Sequence, residues 1–536
     1  MKTLYHNGLV YTGSLPLQQA FIVENDRFVA VGRDEELKKI AVDARVDLCG
    51  RFVCAGFNDS HMHLLGYGHY LSMAQLAGHT GSLRELLDYL RAYLQEHPPR
   101  EGQWLKGRGW NHDYFSDEKR MPDRHDLDAI SQKIPIVITR ACGHCAVVNS
   151  RALALAGIDE HTPSPEGGAI GKENGQPDGR LYDNAIDLVT AVVPLPDQAG
   201  LEDMIRRACA SLNAYGVTSV QTDDYSSFRG VAPDTINAAY RHLAQTGALT
   251  VRVNEQCNFT TSEELDGFLA RGLVTGAGDE RFRIGPLKLL GDGSLGSRTA
   301  HLTRPYLGTQ ERGFSLLSDE QMRRLVLQAH EAGMQVAIHA IGDACLDQVL
   351  DAVEAALQKK PCVDHRHGVV HCQISRPDQL RRIRALNMQV YAQSIFLDYD
   401  NHIVEQLVDE ELAASSYHWK SLMDSGVRVS NGSDTPVEPP NVMRGIRCAV
   451  TRRSLDGTGP YLPGEAFTVQ EALDSFTIRG AEASFEEDLK GAIRPGLLAD
   501  FSVLDRDPFS EPPETLHTIP VLAAFLGGRC VFRSEG

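Results

Sequence analysis

The regular alternation of apolar strand candidates with helix candidates constrains the fold of this chain more than any other feature. From about residue 205 onward, short apolar runs are separated by amphipathic stretches such as 319–331 and 344–356. Together with the apolar run that precedes His61, the strand candidates are 52–57, 217–221, 250–254, 284–290, 335–339, 368–371, 389–393 and 428–434. The sequence therefore predicts an α/β fold with a (β/α)8 barrel, because alternating β/α units in this number close into one sheet surrounded by helices.

Two histidines follow the first of these strand candidates. His61 and His63 are separated only by Met62. Residues two apart on a strand point to the same side, so both imidazoles could bind one ion. On a helix the same spacing would set them about 200° apart. Taken alone, such a pair is more often two surface histidines, so its interpretation depends on residues further along the chain.

Residues that can bind metal recur at the ends of later strand candidates. His339 follows the fifth, His371 the sixth and Asp434 the eighth, while Lys288 lies within the fourth. In a barrel of this type the active site lies at the C-terminal ends of the strands. Each of these histidines alone would be an ordinary core residue and Asp434 a turn residue, but together they predict a metal site.

Lys288 is the hardest of these residues to explain by packing. It is flanked by Leu287 and Leu289 on a strand that should be buried. A buried, unpaired ammonium is costly, and burial lowers the pKa of a lysine. A neutral amine can react with CO₂ to form a carbamate, which is an anionic oxygen donor able to bridge two metal ions.

Composition excludes several classes of function. The formal net charge of −18 disfavours nucleic acid and anionic membrane surfaces as partners, since both require a basic protein surface. We find no run of about 20 apolar residues, and the first residues lack the apolar core of a signal peptide. The eleven cysteines follow no framework spacing. We therefore expect reduced thiols and a cytoplasmic location.

The rest of the chain predicts two further domains. Residues 1–55 and 485–536 contain strand-like runs, and we expect them to form one composite β-sandwich domain. Residues 56–75 and 205–484 would form the catalytic barrel. Residues 76–204 are predicted to be an inserted α+β segment that covers the active site, although a plain structural excursion is equally compatible with the sequence. Within it, the Gly- and Pro-rich stretch 163–179 is expected to be a loop.

Several motifs resemble those of a known family. They are the stretches 56–63, 287–298, 339–343 and 432–436. On these motifs the chain resembles the amidohydrolase superfamily, and more closely amidohydrolase family 3, which includes N-substituted formamide deformylase-like metal-dependent hydrolases. The resemblance covers nearly the whole chain. One departure is Ala55, because the family usually has proline before the glycine that corresponds to Gly56.

The resemblance implies a TIM-like metallo-dependent hydrolase barrel with a binuclear metal centre, usually of Zn²⁺. The implied ligands are His61, His63, Lys288, His339, His371 and Asp434. The first two histidines and Asp434 would bind the more buried ion, and the two later histidines would bind the other. Lys288, as an N6-carboxylated lysine, would bridge the ions together with a hydroxide. Asp434 would be the catalytic residue that transfers the proton.

The implied reaction is hydrolysis of an amide-type, non-peptide carbon–nitrogen bond in a small molecule. Candidate substrate contacts are Trp110, Asn111 and His144 from the insertion, and Arg298, which could meet an anionic group. For each of these four residues an ordinary packing role is the more common alternative.

Two other interpretations stay open at this point. A mononuclear deaminase of the same superfamily shares the histidine pair, the two later histidines and the aspartate, but it has no bridging lysine. A metal-free scaffold barrel would need none of the ligands. The expected partner is a small-molecule substrate, with no nucleic acid and no membrane, and a homodimer is left open.

Overall fold

The computed structural model describes residues 1–100 and 102–534. The chain divides into two compact units. One consists of Met1–Tyr67 together with Ala208–Gly536, and the other of Gly68–Arg207.

The larger unit is built around an eight-stranded parallel sheet. Its strands, numbered here one to eight in chain order, are Phe57–Met62, Val217–Thr222, Arg252–Asn258, Phe282–Leu290, Val336–Ala340, Gly368–His371, Gln389–Ala392 and Val429–Asn431. Neighbours in the sheet follow the order of the chain from the first strand to the eighth. The predicted (β/α)8 barrel is therefore confirmed.

Helices follow the barrel strands. The longer ones are Leu64–Leu71, Gln198–Ala214, Pro233–Gln245, Ser262–Leu269, Asp319–Glu331, Asp343–Lys359, Pro377–Ala385 and Val442–Thr451. Shorter ones are Leu397–Asp400, Val404–Leu407, Glu410–Ala413, Trp419–Asp424, Val469–Ser475 and Ile478–Ala483. One further short helix, Asp34–Leu37, precedes the barrel in the chain. Helix Asp319–Glu331 has the predicted bounds. Ser318 and Gln321 cap each other's backbone N–H groups at its start, and Gly333 follows its end with a left-handed φ of +77°.

The first and eighth barrel strands are joined by side chains at their C-terminal ends. Ser60 Oγ donates a hydrogen bond to the carbonyl of Asn431 at 2.9 Å. The Asp59 carboxylate accepts hydrogen bonds from the backbone N–H of Ser433 at 3.0 Å and from its hydroxyl at 2.5 Å. These contacts hold together the two strand ends that carry the first predicted ligands and the last one.

Strands from both ends of the chain form two sheets beside the barrel. One sheet has the order Arg27–Gly32, Ala20–Glu24, Lys2–His6, Ala44–Asp47. The other has the order Leu9–Val10, Phe52–Ala55, Phe501–Leu504, Val521–Leu526, Arg529–Arg533. Their shared core contains the stacked rings of Phe501 and Phe525, with centroids 4.3 Å apart, and Phe21 against Phe501 at 5.0 Å.

The second sheet leads directly into the first barrel strand. Only Gly56 separates strand Phe52–Ala55 from strand Phe57–Met62. A Cβ atom at Gly56 would lie 2.1 Å from Thr218 Oγ1, so the close approach of the second barrel strand requires glycine here. The strand that carries the histidine pair is therefore anchored in the terminal sheets at its other end.

The unit Gly68–Arg207 contains a six-stranded sheet of its own. The strand order is Gly168–Glu173, Gln176–Asp183, Cys145–Val148, Ile136–Arg140, Leu105–Trp110, Ala74–Gln75. Helices Leu83–Glu96, Arg124–Asp128, Ser150–Leu155 and Ile186–Thr190 belong to the same unit. The expected loop at 163–179 was wrong, because its C-terminal part forms a hairpin. Asn174 and Gly175 make the two-residue turn, both with positive φ, and this is the residue pair that such turns prefer.

No helix in the described part of the chain is both long enough and apolar enough to cross a membrane.

Truncating the aromatic core of the terminal sheets should destabilise the protein. Phe501 is fully buried, so Phe501→Ala should lower the free energy of unfolding by about 3–5 kcal/mol through lost burial and a residual cavity. Phe314 is 53% exposed, so Phe314→Ala should change the free energy of unfolding by less than about 0.5 kcal/mol. Urea denaturation followed by circular dichroism checks both variants. Equal midpoints for the two would contradict the role of this core.

Candidate metal centre

Two imidazoles and one carboxylate meet where the first and eighth barrel strands end. His61 lies on the first strand and His63 directly after it. Asp434 Oδ1 lies 3.4 Å from His61 Nε2 and 3.1 Å from His63 Nε2. Both imidazoles therefore face the same carboxylate oxygen, as the spacing of the histidines on an extended strand predicts.

The sixth and fourth barrel strands contribute further groups. One nitrogen of His61, one nitrogen of His371 and a carboxylate oxygen of Asp434 all lie within 4.8 Å of one another. Lys288 is fully buried, and its Nζ lies 3.3 Å from His61 Nε2. The structure thus brings the lysine amine within a few ångströms of the imidazoles.

His339, on the fifth strand, lies beside His371. Their ring centroids are 4.5 Å apart, with the planes steeply inclined. His339 Nδ1 is 3.0 Å from Asp292 Oδ1, although at an angle outside the hydrogen-bond range. The Asp292 carboxylate is itself held by the backbone N–H groups of Ile341 at 3.1 Å and Gly342 at 2.8 Å. These contacts restrict the orientation of the His339 ring.

The other three histidines have an acceptor at Nδ1. The pairs are His61 Nδ1 with Gln256 Oε1 at 2.9 Å, His371 Nδ1 with Gln393 Oε1 at 2.7 Å, and His63 Nδ1 with the carbonyl of Asp223 at 3.0 Å. An acceptor at Nδ1 keeps the proton on that nitrogen and leaves the Nε2 lone pair available. All three rings are therefore oriented as metal ligands.

Sequence reasoning missed Gln256, Gln393 and Asp292 as orienting groups. Gln256 lay beyond the predicted end of the third strand, which the structure extends to Asn258. Gln393 was the last residue of a predicted strand, but a glutamine carries no signal for metal binding. Asp292 lies within one of the motifs that carry the family resemblance, and that position is the only signal that could have identified it.

The two most buried imidazoles are neutral. Burial lowers the pKa of His61 well below its usual value, and the nearby Lys288 lowers it further. Burial also lowers the pKa of His371 well below its usual value, and the nearby His339 lowers it further. Since a metal ion binds the unprotonated imidazole, both residues are in the required state at neutral pH.

His63 and Asp434 behave as an ion pair. Burial alone would lower the pKa of His63, but the adjacent Asp434 carboxylate raises it to about 9. Burial alone would raise the pKa of Asp434, but the neighbouring His63 and His61 hold it well below its usual range. The carboxylate is therefore ionised at neutral pH, as a metal ligand must be.

The donor set suits a divalent metal ion. Asp434 Oδ1 is buried and has no hydrogen-bond partner of acceptable geometry, although imidazole nitrogens surround it. A buried carboxylate oxygen in that position needs a positive group beside it. Imidazole and carboxylate together are the ligands that Zn²⁺ and similar divalent ions prefer. We conclude that these residues fit a metal site.

Residues with left-handed backbone geometry occur at the same place. Asp434 has a φ of +59°, and the consecutive residues His371 and Cys372 have φ values of +77° and +51°. The indole N–H of Trp419 donates to the carbonyl of His371 at 2.9 Å and supports this turn. A Cβ atom on Gly432 would lie 2.6 Å from the backbone nitrogen of His61. Such outliers persist where the surrounding structure holds a functional group in place.

The four candidate substrate contacts have the following local surroundings. Trp110 is buried in the core of the unit Gly68–Arg207. Asn111 caps the short 3₁₀ helix His112–Tyr114 and accepts a hydrogen bond from Arg140 at 2.8 Å. The His144 side chain is exposed, with Nδ1 2.9 Å from Asp183 Oδ1. Arg298 is exposed in the loop after the fourth barrel strand, with a φ of +59°. Their role as substrate contacts stays a prediction.

The sequence is similar to that of known amidohydrolases over nearly its whole length. Residues 44–532 match the sequence model of the amidohydrolase family. The chain is 32% identical to the protein YtcJ of Bacillus subtilis (strain 168), over 100% of both chains. It is 27% identical to the N-substituted formamide deformylase of Arthrobacter pascens, over 97% of this chain and 95% of that protein.

A solved structure shares the whole architecture. The crystal structure of a metal-dependent hydrolase from Pyrococcus furiosus superposes with a TM-score of 0.78 at 28% identity. The match covers 95% of this chain and 100% of that one.

Zinc binding should release a proton from His63. Its pKa is raised above the unfolded value, so its pairing with Asp434 stabilises the metal-free protein fully below about pH 6.5 and is lost as the pH rises through about 9. Zinc must displace that proton, so the apparent affinity should rise with pH up to about 9. Isothermal titration calorimetry in buffers of different ionisation enthalpy measures the release. The control is His144→Asn, which lies outside the candidate metal ligands and should leave proton release on zinc binding unchanged. Proton release that does not vary with pH would contradict the role of His63.

Proposed function

Since the chain belongs to the amidohydrolase family, we propose that it hydrolyses an amide-type, non-peptide carbon–nitrogen bond of a small molecule. The observation that carries this proposal is the meeting of His61, His371 and Asp434 around the amine of Lys288. These groups come from four different barrel strands or the loops after them, at the edge where barrel enzymes have their active sites. A structural role alone would not require so many buried metal-binding groups in one place.

The choice of bond draws on one relative. The N-substituted formamide deformylase of Arthrobacter pascens resembles this chain over nearly its whole length. Its name identifies N-substituted formamides as its substrates, so this is the first class of compound to test here. Acylated amines and cyclic amides contain the same type of bond and are the next classes.

We propose that the centre holds two divalent ions, with Zn²⁺ best suited to the donors. The side chains that would hold them are His61, His63, Lys288, His339, His371 and Asp434. When bound, such a pair of ions lowers the pKa of a bridging water to yield hydroxide and polarises the substrate carbonyl. The imidazoles are fixed for this purpose by the acceptors at their Nδ1 atoms.

Lys288 would take part as a carbamate. Burial lowers the pKa of its amine, against the opposing effect of Asp223 and Asp434. In the neutral amine the nitrogen lone pair forms a bond to the carbon of CO₂, and one amine proton leaves to solvent. The product is an N-carboxylate, an anionic oxygen donor that would help to hold the ions. A mononuclear deaminase would have no use for this group.

Asp434 would transfer the proton of the reaction. Its backbone N–H donates to the carbonyl of His61 at 2.9 Å, which fixes the carboxylate beside the imidazoles. In this position Oδ1 can accept a proton from the attacking water and deliver it to the departing nitrogen. Protonation of that nitrogen allows the carbon–nitrogen bond to break with an amine as the leaving group.

We place the protein in the cytoplasm. All eleven cysteines are free thiols, and seven of them are buried, with Cys54, Cys209 and Cys448 as examples. This supports a reducing compartment.

Replacement of the proposed proton carrier should abolish most of the activity. Asp434→Asn keeps the size of the side chain but removes the base, so kcat/KM on the best substrate should fall by about 10²–10⁴-fold. The assay uses metal-loaded protein and a panel of formamides, acylated amines and cyclic amides. Asp400→Asn is the matched control, because Asp400 is equally buried but hydrogen-bonded to Gln373 and Tyr417.

Equal activity of wild type and Asp434→Asn would refute the role of Asp434. One metal ion per chain with activity on an aminated base would instead favour the deaminase. Absence of bound metal in protein prepared without chelators would favour the scaffold.

Carboxylation of Lys288 can be observed directly. Protein loaded with zinc in ¹³C-bicarbonate should show a carbamate carbon signal in its NMR spectrum, and Lys288→Met should abolish it. Lys490 is also buried but is paired with Glu486 at 2.8 Å, so it should contribute no signal. Two bound ions per wild-type chain without any carbamate signal would exclude the bridging role of Lys288.

A further inference from the structure

Asp223 is a buried carboxylate at the same edge of the barrel. It directly follows the second strand, Val217–Thr222, and is 1% exposed. Its main chain makes two hydrogen bonds with the segment that contains His61 and His63. The N–H of Asp223 donates to the carbonyl of Met62 at 3.0 Å, and its carbonyl accepts from His63 Nδ1 at 3.0 Å. The position of the Asp223 carboxylate is therefore coupled to that of His63.

One oxygen of this carboxylate makes no hydrogen bond of acceptable geometry. Among the described residues, the buried carboxylate oxygens that make no hydrogen bond are Asp223 Oδ1, Glu255 Oε2 and Asp434 Oδ1. Asp223 Oδ2 lies 3.9 Å from Lys288 Nζ, which is beyond hydrogen-bond distance. An unpaired buried carboxylate oxygen is costly unless a cation or a donor occupies the space beside it.

Glu255 does not belong to the same group. Its Oε1 accepts a hydrogen bond from the backbone N–H of Asp224, whose carboxylate in turn binds the hydroxyl of Tyr240 on helix Pro233–Gln245. The next residue, Gln256, binds His61. Because successive side chains of a strand point to opposite faces, Glu255 faces the helix layer and Gln256 faces the centre. Asp223 and Asp434 are thus the two incompletely bonded carboxylates that accompany Lys288.

We propose that Asp223 is a seventh side chain of the metal centre and contributes a carboxylate oxygen to the bound ions. This inference rests on the proposed binuclear centre. It explains why Asp223, like Asp434, has a buried carboxylate oxygen that makes no hydrogen bond of acceptable geometry.

Charge balance gives Asp223 a physical role. Two divalent ions bring four positive charges into a buried site. A carbamate on Lys288, the carboxylate of Asp434 and a hydroxide bring three negative charges, which leaves one positive charge uncompensated. A buried net charge is unfavourable, and the Asp223 carboxylate supplies the missing negative charge. Its removal should therefore weaken metal binding more than loss of a single neutral donor would.

The test compares metal binding by Asp223→Asn with that by wild type. Asparagine has nearly the same shape but lacks the charge, so zinc affinity should fall by about 10–100-fold. The visible absorption spectrum of the Co²⁺-loaded protein should also change, because it reports the ligands around the ion. Asp400→Asn is the matched control and should leave both readouts unchanged. Circular dichroism and thermal unfolding of the metal-free proteins verify folding, and Asp223→Ser repeats the comparison if the first variant is unstable.

The outcomes separate this inference from the proposed function. Weaker zinc binding with an altered Co²⁺ spectrum supports Asp223 as part of the centre. Wild-type affinity and spectrum in both Asp223 variants would overturn the inference and leave the proposed function intact. If wild type itself binds no divalent metal, the proposed function fails and the inference fails with it.

Discussion

The close approach of the first and eighth barrel strands is the constraint on which the rest of the site depends. The backbone N–H of Asp434 donates to the carbonyl of His61 at 2.9 Å, and Gly432 leaves room for this contact because it has no Cβ atom. The Asp59 carboxylate holds the same junction together by accepting hydrogen bonds from the backbone N–H and the hydroxyl of Ser433. Without this junction the carboxylate of Asp434 and the histidine pair would lie on separate strand ends.

Burial of the candidate donors makes any unpaired charge among them unfavourable. Neutral imidazoles at His61 and His371 avoid the cost of buried charge, and their pKa values are lowered for that reason. The charges of His63 and Asp434 are instead balanced against each other in an ion pair. At His63 a bound metal ion would have to displace a proton. This arrangement links metal affinity to pH through His63.

Neighbouring side chains and carbonyls orient the candidate metal ligands. Gln256 and Gln393 hold two imidazoles by Nδ1, and a main-chain carbonyl holds a third. Trp419 supports the strained turn after His371. An acceptor at Nδ1 leaves the Nε2 lone pair of each of these three rings available. The chain belongs to the amidohydrolase family, and the contacts at Nδ1 orient three of its candidate metal ligands.

Predictions from sequence succeeded where a pattern is local. Helix Asp319–Glu331 was predicted correctly, because its cap and its apolar stripe lie within one short stretch. The third strand was predicted to end at Asn254 but runs to Asn258, since polar side chains such as Gln256 interrupt its apolar pattern. The hairpin at Gly168–Asp183 was missed because its glycines and prolines resemble those of a loop.

The sequence by itself determined the type of donor at each strand end and the order in which they occur along the chain. Strand periodicity and the rule for barrel edges are enough to place the histidines, Lys288 and Asp434 on one side of a sheet. Only the tertiary structure decided the partner of each Nδ1 atom, the support of His339 by Asp292 and the place of Asp223. Those contacts join residues far apart in the chain, and a glutamine or aspartate carries no local pattern that indicates which distant ring it will meet.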